Sequence, residues 1–407
     1  MTIRTNRLLP AVLLTVGSIA LTACGSAGST ASSGSSAAAS GSASASASGS
    51  ATPGQVAVTI TDAGGCVTDP NTVPAGQVTF VVTNVDAVGV TEVELVAGQR
   101  IVGERENLAP GFDSTFSARL DGGSYQIYCP GASTERSTFT VTGQAAAQDQ
   151  DLAALLSQAT KDYATYVDDQ ITFLIVPVQE MAAAIKAGDL AAAQAAYIKA
   201  RPFYERIEPV AESFPDLDPA IDLRIGDVEQ GTTWTGFHPI EQALWVKQST
   251  DGLGDLADGL VANVQLLQQQ AQQLSAATAA GTGGYQPFEI ANGAASLLDE
   301  VLSTKITGEE EAYSMIDLLD FEANVEGSLQ AFATLEPALN QIDPTIVPQI
   351  SAAFDALQTE LATFKDPSSP SGWVSYDKLT DADKKALTDA LLAVQEPLSA
   401  VAQKITQ

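Results

Sequence analysis

The chain is poor in the side chains that most metal and nucleic-acid sites use. Its 407 residues include a single histidine, three cysteines, and 19 lysines and arginines against 49 aspartates and glutamates. One histidine excludes sites that need two imidazoles, such as the HExxH zinc motif or a pair of Glu-x-x-His motifs, and three cysteines are too few for a disulfide scaffold. The net charge of −30 repels polyanions, which excludes nucleic acid as a partner. The metal sites that remain possible are those in which hard oxygen ligands predominate.

A long apolar segment is also missing beyond the N-terminus. No stretch after residue 23 reaches the ~18 apolar residues that a membrane-spanning helix needs. Residues 1–23 contain two arginines, an apolar run and small residues, an order that predicts a secretory signal peptide. The ending Leu21-Thr22-Ala23-Cys24 resembles the lipobox of bacterial lipoproteins, which implies that Cys24 is lipidated and anchors the protein to the outer face of the cell membrane. A chance cysteine beside an ordinary cleavage site would instead leave an exported protein without an anchor.

Composition and hydrophobic period divide the rest of the chain. Residues 24–54 are almost entirely Ser, Ala and Gly without charge, which predicts a flexible tether. In residues 55–142 apolar and polar side chains alternate within short segments that Gly-containing turns separate. About seven short strands fit this pattern, which predicts a small β-sandwich. After a polar linker at 143–150, residues 151–407 follow the 3.6-residue period of amphipathic helices. The helical part has 39 acidic and 13 basic residues after position 142, so it is the half that attracts cations.

A histidine at the start of a predicted helix gives the first indication of a metal site. Gly236 and Pro239 bracket the helix start, which places His238 and Glu241 three residues apart on one face. An imidazole and a carboxylate at this spacing can hold one metal ion or form an acid/base pair. The alternative is a hydrogen-bonded pair at a helix start with no further function.

Pairs of carboxylates extend this hypothesis. Glu205 and Glu208 share one predicted helical face, Asp317 and Asp320 share another, and Asp222 adds a fifth carboxylate. Like charges on one face cost free energy unless a metal ion or arginines compensate them. The compensating arginines could be those at 201, 206 and 224, and a solvated acidic surface is the further alternative. An oxygen-rich set with one nitrogen suits iron, manganese, calcium or zinc better than copper.

The combination of motifs resembles the EfeO family of iron-uptake proteins, in which an imelysin-type peptidase-family domain follows a cupredoxin-like domain. The resemblance covers nearly all of 55–407 and rests on Glu92-Val93-Glu94-Leu95, residues 104–112, Tyr204-Glu205-Arg206-Ile207-Glu208-Pro209, Asp216-Leu217-Asp218, Gly236 with His238 and Glu241, residues 305–310 and residues 320–327. It implies a multidomain β and α protein: a cupredoxin-like β-sandwich, then an all-helical bundle of two four-helix halves with a metal site in the cleft between them.

The resemblance also implies ligands, a metal and partners. The implied ligands of the helical domain are Glu205, Glu208, Asp222, His238, Glu241 and Asp317. The metal would be iron, as Fe²⁺ or Fe³⁺, and the partners would be a membrane iron permease and a haem peroxidase of the same system. Met315 stands where a histidine is expected in relatives, so the site should be weaker or richer in carboxylate, and the Met315 thioether should only pack.

Cys66 and Cys129 in the β-sandwich allow two interpretations. In an exported protein they predict a disulfide. The family resemblance implies instead that they bind copper or iron, with Glu92 nearby. No histidine lies in 55–142, so a His₂Cys blue-copper centre is excluded.

These observations predict an exported, lipid-anchored protein that captures iron through the His-x-x-Glu and carboxylate site and delivers it to a membrane permease. The alternative is a metal-dependent peptidase of the imelysin type, although the chain has no HExxH or HxxEH arrangement. A ferroxidase-like role stays open beside a mainly non-enzymatic function. A binder of acidic polysaccharides would need a divalent ion to bridge the like charges.

Overall fold

The structure, a computed structural model, describes residues 54–98, 100–228 and 231–407. The predicted signal peptide, Cys24 and the tether up to residue 53 lie outside the described residues. The strands come first, from Gln55 to Thr142, and the helices follow from Gln150, so the predicted order of a β part and a helical part is confirmed. The domain boundaries themselves stay predictions.

The β part contains nine strands in two sheets within the described residues. The strands are β1 (Gln55–Thr61), β2 (Gly65–Asp69), β3 (Thr72–Pro74), β4 (Gly76–Asn84), β5 (Val93–Ala97), β6 (Arg100–Arg105), β7 (Phe112–Leu120), β8 (Gly123–Tyr128) and β9 (Arg136–Thr142). One sheet has the order β2-β1-β4-β7 and the other β3-β9-β8-β5-β6. β1 pairs in parallel with β4, and β3 with β9, whereas the other pairs are antiparallel.

The alternating pattern places the core of this sandwich correctly. Val56, Val58 and Ile60 of β1 are fully buried, and Phe80 stacks on Phe116 with ring centroids 4.7 Å apart. The sequence predicted about seven strands because a three-residue strand such as β3 is too short to show an alternation. The cupredoxin-like character of the sandwich stays a prediction.

A disulfide joins Cys66 in β2 to Cys129, directly after β8. Both side chains are buried within the core of the sandwich. This arrangement corresponds to the first of the two interpretations that the sequence allowed. A disulfide sulfur is no thiolate, so the other interpretation, metal ligation by Cys66 and Cys129, does not describe this structure.

The helical part consists of seven long helices and three short ones within the described residues. They are α1 (Gln150–Ala187), α2 (Leu190–Glu205), α3 (Asp218–Asp222), α4 (Phe237–Gln242), α5 (Gly254–Ala280), α6 (Pro287–Ser303), α7 (Asp317–Ile342), α8 (Ile346–Ala362), α9 (Asp381–Leu398) and α10 (Val401–Ile405). None of the helices in the described ranges has the length and apolarity required to cross a lipid bilayer.

The long helices form two groups that share α7. Helix α1 packs against α2, α5 and α7, while α6 and α8 both pack against α7 and α9. The predicted pair of four-helix halves therefore needs one correction, because a single helix serves both groups. The physical reason is that buried positions cover more than one face of α7, as at Asp320, Phe321, Ala323 and Val325.

The two parts of the chain pack directly on each other through β6, β7 and α6. The guanidinium of Arg100 lies 3.0 Å from the carboxylate of Glu289, and Asn292 Nδ2 donates a 2.8 Å hydrogen bond to the carbonyl of Ser117. Gly293 on the same helix lets the backbone of Pro209 approach, since a Cβ there would lie 1.7 Å from the Pro209 carbonyl oxygen. The contact brings acidic side chains of both parts together.

We expect the disulfide to stabilise the sandwich, because it closes a loop of 63 residues in the unfolded chain. Replacing both cysteines, Cys66→Ala with Cys129→Ala, should lower the free energy of unfolding by about 2–5 kcal/mol. Urea denaturation followed by circular dichroism measures this. Unchanged stability, together with loss of a metal ion from the purified protein, would instead support the thiolate interpretation.

Candidate metal centre

His238 lies on the first turn of α4, buried at 2% exposure. Its Nδ1 is 3.5 Å from Glu241 Oε2, so the two residues share a helical face as predicted. Its Nε2 faces the other way, 3.3 Å from Asp222 Oδ1 and 3.7 Å from Glu310 Oε1. The imidazole therefore lies between two sets of carboxylates.

Helix α4 reaches this position through a close backbone approach. Gly236 precedes the helix with φ 92° and ψ −154°, a conformation that is almost exclusive to glycine. A Cβ at Gly236 would lie 2.0 Å from the carbonyl oxygen of Ile221. This contact fixes the start of α4 against the end of α3, and so brings His238 beside Asp222.

Arg201 of α2 holds most of the carboxylates together. Its side chain is completely buried. The guanidinium forms ion pairs with Glu205, Asp222, Glu310 at 3.0 Å, Glu311 at 2.9 Å and Asp320 at 3.1 Å. The arginine that the sequence offered as an alternative to a metal ion thus does neutralise part of the cluster.

Glu205 and Glu208 belong to a neighbouring region around Lys305. The ammonium group of Lys305 lies 2.7 Å from Glu208 Oε1 and 3.1 Å from Glu205 Oε2. Asn324 donates hydrogen bonds from Nδ2 to both carboxylates. The structure brings Glu205 and Glu208 together with Asp222 and Glu310, but their contacts are to Lys305 and Arg201 rather than to His238.

Asp317 occupies a different place from the one expected of a ligand. Its Oδ1 accepts a 3.2 Å hydrogen bond from the backbone N–H of Glu311, and it belongs to none of the ligand groups found among the described residues. Because Asp317 is at the start of α7, its carboxylate holds the preceding turn instead of facing His238. That turn supplies Glu310 and Glu311.

The sequence reasoning missed Glu310 and Glu311 as site residues. Both side chains are buried, and both residues lie in an irregular loop. A loop has no helical period, so the sequence did not indicate which way these side chains face. The only signal was that Glu310 ends one of the segments that carry the family resemblance. Met315 in the same loop is half-buried against the hydrophobic core, as expected of a packing residue.

Burial and charge shift the pKa values of the site in opposite directions. Burial alone would lower the pKa of His238, but Asp222 and Glu241 raise it to about 10. Burial opposes ionisation of Glu310, yet Lys305 and Arg224 lower its pKa to about 2. For Glu311 the outcome differs, because burial and the nearby Glu241 raise its pKa well above the usual range. Burial therefore opposes ionisation of Glu311, whereas Lys305 and Arg224 favour ionisation of Glu310.

The donor atoms of the site suit a cation. Two groups of residues bring one ligand atom each to within 4.8 Å of one another: Asp222 with His238 and Glu310, and His238 with Glu241 and Glu311. His238 Nε2 and Glu241 Oε2 are buried and have no hydrogen-bond partner in the described part of the chain. A metal ion bound between His238 Nε2 and the carboxylates of Asp222 and Glu310 would satisfy a buried atom that the protein itself leaves without a hydrogen bond.

Glu241 also has a structural role at this site. Its Oε1 accepts hydrogen bonds from the backbone N–H groups of Tyr313, at 2.8 Å, and Ser314, at 2.6 Å. Its Oε2 is left to face Nδ1 of His238. A carboxylate on one imidazole nitrogen orients the ring so that the other nitrogen can bind a metal.

The β part has acidic residues but no equivalent centre. Glu92 lines the cleft between the β part and the helical part, together with Glu94 and Asp227. Burial and the charge of Asp227 raise the pKa of Glu92. The groups of metal-ligating residues found in the described ranges contain neither Glu92 nor the two cysteines.

Removing the guanidinium should leave several buried carboxylates uncompensated. We expect Arg201→Met to lower the free energy of unfolding by about 3–5 kcal/mol. Arg206→Met is the matched control, because Arg206 also lies over a phenylalanine ring but is partly exposed and pairs with Glu326 alone. The control substitution should lower the free energy of unfolding by about 1 kcal/mol or less. If urea denaturation shows that both variants lose the same free energy of unfolding, the central role of Arg201 is contradicted.

A methyl group at Gly236 should separate α4 from α3. We expect Gly236→Ala to cost at least about 2 kcal/mol of stability and to weaken metal binding, because the overlap with Ile221 moves His238 away from Asp222. Gly252→Ala is the control, since Gly252 has φ 75° but nothing within 4 Å of the added methyl group. Thermal denaturation and metal titration of both variants measure the difference. Intact metal binding in Gly236→Ala would refute the positional argument.

Comparisons with known proteins give the family of the chain. The imelysin family model, Peptidase_M75, matches residues 159–401. The iron uptake system component EfeO of Escherichia coli O157:H7 is 39% identical over 350 residues, which cover 85% of this chain and 90% of that protein. EfeO of Escherichia coli K12 and EfeO of Shigella flexneri are each 38% identical over the same shares.

A solved structure also matches part of the chain. It is a protein from Parabacteroides distasonis described as a candidate iron-regulated protein A precursor, with a TM-score of 0.49, 17% identity, and coverage of 64% of this chain and 97% of that one. The family match spans more than half of the chain, and the curated relatives match most of its length. The chain belongs to the imelysin family, in its EfeO-type branch.

Proposed function

We propose that this protein is the extracytoplasmic iron-binding component of an iron uptake system. In this proposal iron is the cargo, bound between the helices at His238, Asp222 and Glu310. The curated relatives support it, because each is named as an iron uptake system component. The bound iron would pass to a membrane permease, the partner that the family resemblance implies.

The observation that carries the proposal is the environment of His238 Nε2. This atom is buried, lacks a hydrogen-bond partner in the described residues, and faces carboxylate oxygens of Asp222 and Glu310 at 3.3 and 3.7 Å. Two carboxylates and an imidazole are ligands that ferrous and ferric iron both accept. A small shift of these side chains would bring the three atoms to metal-bonding distance.

The charge of the surrounding cluster favours capture of a cation. Seven carboxylates contact Arg201, Lys305 or His238, and Arg224 also contacts one of them, Glu310. Three of these four groups stay positive when His238 gives up its proton to bind a metal ion. The excess negative charge must be offset by protons or by a metal ion. A cation that enters the cluster therefore replaces protons, and it meets a preformed set of oxygen atoms.

The remaining ligands of the proposal have supporting roles. Glu241 would orient His238 through Nδ1 and would, together with Glu311, offer a second set of ligand atoms on that side of the ring. Glu205 and Glu208 would stay paired with Lys305 and add negative potential. Asp317 would hold the turn that carries Glu310 and Glu311.

Anchoring and partners complete the proposal. Lipidation at Cys24 and the tether of residues 24–54 would keep the folded part close to a permease on the outer face of the membrane. A haem peroxidase of the same system is the second partner that the resemblance implies. A copper or iron ion in the β part would require reduction of the bond between Cys66 and Cys129.

The peptidase alternative has less support. The cavity that Asp222 and Glu310 line has a volume of about 150 Å³, below the roughly 300 Å³ at which small-molecule pockets begin, and the adjoining cleft of about 890 Å³ has neither residue in its lining. His238 is almost fully buried, and Arg201 occupies the space beside it. This arrangement suits an ion better than a peptide chain in a water-containing catalytic site.

The proposal predicts that iron binding depends on His238. His238→Ala and Glu241→Gln should each weaken binding of ferrous and ferric iron at least about tenfold, because the first removes the nitrogen ligand and the second the group that orients it. Equilibrium dialysis of the full chain followed by elemental mass spectrometry measures the bound iron.

Glu180→Gln serves as the control, because it removes the same charge from the exposed surface of α1. It should leave the iron content unchanged. Iron binding that survives both site substitutions would exclude this centre. Chelator-sensitive hydrolysis of casein that His238→Ala abolishes would favour the peptidase alternative.

A further inference from the structure

A second group of carboxylates lies where the β part meets the helical part. It consists of Glu104 of β6, Glu106 directly after β6, and Glu212 in the short 3₁₀ helix Glu208–Ser213; these three residues are called the interdomain cluster below. One carboxylate oxygen from each lies within 4.8 Å of the other two. None of them belongs to the groups around His238.

Glu104 is the central observation. Only 9% of the residue is exposed, and its side chain lines the cavity that separates the two parts. Among the described residues no hydrogen-bond donor, lysine or arginine pairs with its carboxylate. A carboxylate on a residue buried to this degree is normally paired or protonated, because an uncompensated charge there is unfavourable.

The neighbours of Glu104 make its position still less favourable without a cation. Glu94 on β5 lies directly opposite Glu104 in the antiparallel pairing of β5 with β6. Like charges at opposed positions of a sheet destabilise the pair. Arg105 of β6 pairs with Asp299 and therefore does not neutralise the cluster. Arg224 is engaged with Asp227, Glu300 and Glu310.

We propose that the interdomain cluster binds a hard metal cation, divalent or trivalent, held by carboxylate oxygens from both parts of the chain. Three carboxylates without nitrogen or sulfur are a donor set for calcium, manganese or ferric iron rather than for copper or zinc thiolate chemistry. Because Glu104 and Glu106 come from the β part and Glu212 from the helical part, the ion would join the two parts.

The position of the interdomain cluster relates it to the centre at His238. The same cavity is lined by Glu104, Glu106 and Glu212 and, further along, by Asp222 and Glu310. A cation in the interdomain cluster would thus lie in a continuous acidic cavity with the first centre. The proposal does not depend on iron binding at His238, because the two centres share no ligand.

The test measures metal binding to the full chain with manganese(II), calcium and ferric citrate as separate probes. Equilibrium dialysis and elemental mass spectrometry should find an ion that Glu104→Gln combined with Glu212→Gln removes, with a loss in affinity of at least about tenfold. His238→Ala should leave this ion in place. The interdomain double variant should in turn retain the ion that depends on His238.

The control is Glu135→Gln combined with Glu396→Gln, which removes one exposed carboxylate from each part. This control variant should bind the probe ions as tightly as the wild type does. The interdomain double variant should also raise the melting temperature of the metal-free protein, because it removes like-charge repulsion, and it should abolish the further rise that the probe ion causes in the wild type.

The outcomes separate the two centres. Binding that disappears with the interdomain double variant but not with His238→Ala supports the proposal, even if no iron binds at His238. Binding of all three probes that is unchanged in the interdomain double variant would overturn it. Binding that disappears equally in the control would also overturn it, because the effect would then come from net charge alone.

Discussion

The contact of the Arg201 guanidinium with carboxylates from four segments of the chain is the interaction on which the helical centre depends. Glu205 is on the same helix, Asp222 ends α3, Glu310 and Glu311 come from a loop, and Asp320 is on α7. Without one fixed positive group, these buried carboxylates would repel each other and the segments would separate. Arginine suits this position, because its planar group donates several hydrogen bonds and keeps its charge when buried.

Close backbone packing supplies the precision that the charges alone lack. Gly236 lets α4 begin against Ile221, and Gly327 lets α7 approach the carbonyl of Arg206, where a Cβ would lie at 2.4 Å. These approaches place α3, α4 and α7 around Arg201 at fixed distances. These uncharged contacts act together with the ion pairs of Arg201 in positioning the donor atoms of the centre.

The sequence predicted the local features of the centre better than its assembly. The pairing of His238 with Glu241 depends only on helical spacing, and alternation of apolar residues predicted the buried face of β1. Glu310 and Glu311 could not be found in this way, because an irregular loop has no period. The family resemblance implied Asp317 as a ligand, and its shared helical face with Asp320 supported this, yet its carboxylate accepts a hydrogen bond from the backbone of the preceding turn. The helical period indicates which residues share a face, but not what that face meets.

The same limit explains why the contact between the two parts was not predicted. Strand β6 has no alternation, since Val102, Gly103 and Glu104 are all buried, and Glu212 lies next to a proline-containing turn, so neither segment indicated by its own pattern that its acid would be covered. Glu104 and Glu212 meet because the 3₁₀ helix Glu208–Ser213 and α6 both pack on β6. An acidic residue that is harmless on an isolated domain becomes a source of repulsion at an interface, unless the interface also supplies a cation. Nine of the 49 acidic residues are buried in the described part of the chain, and at such positions negative charge attracts a metal ion far more strongly than it does on an open surface.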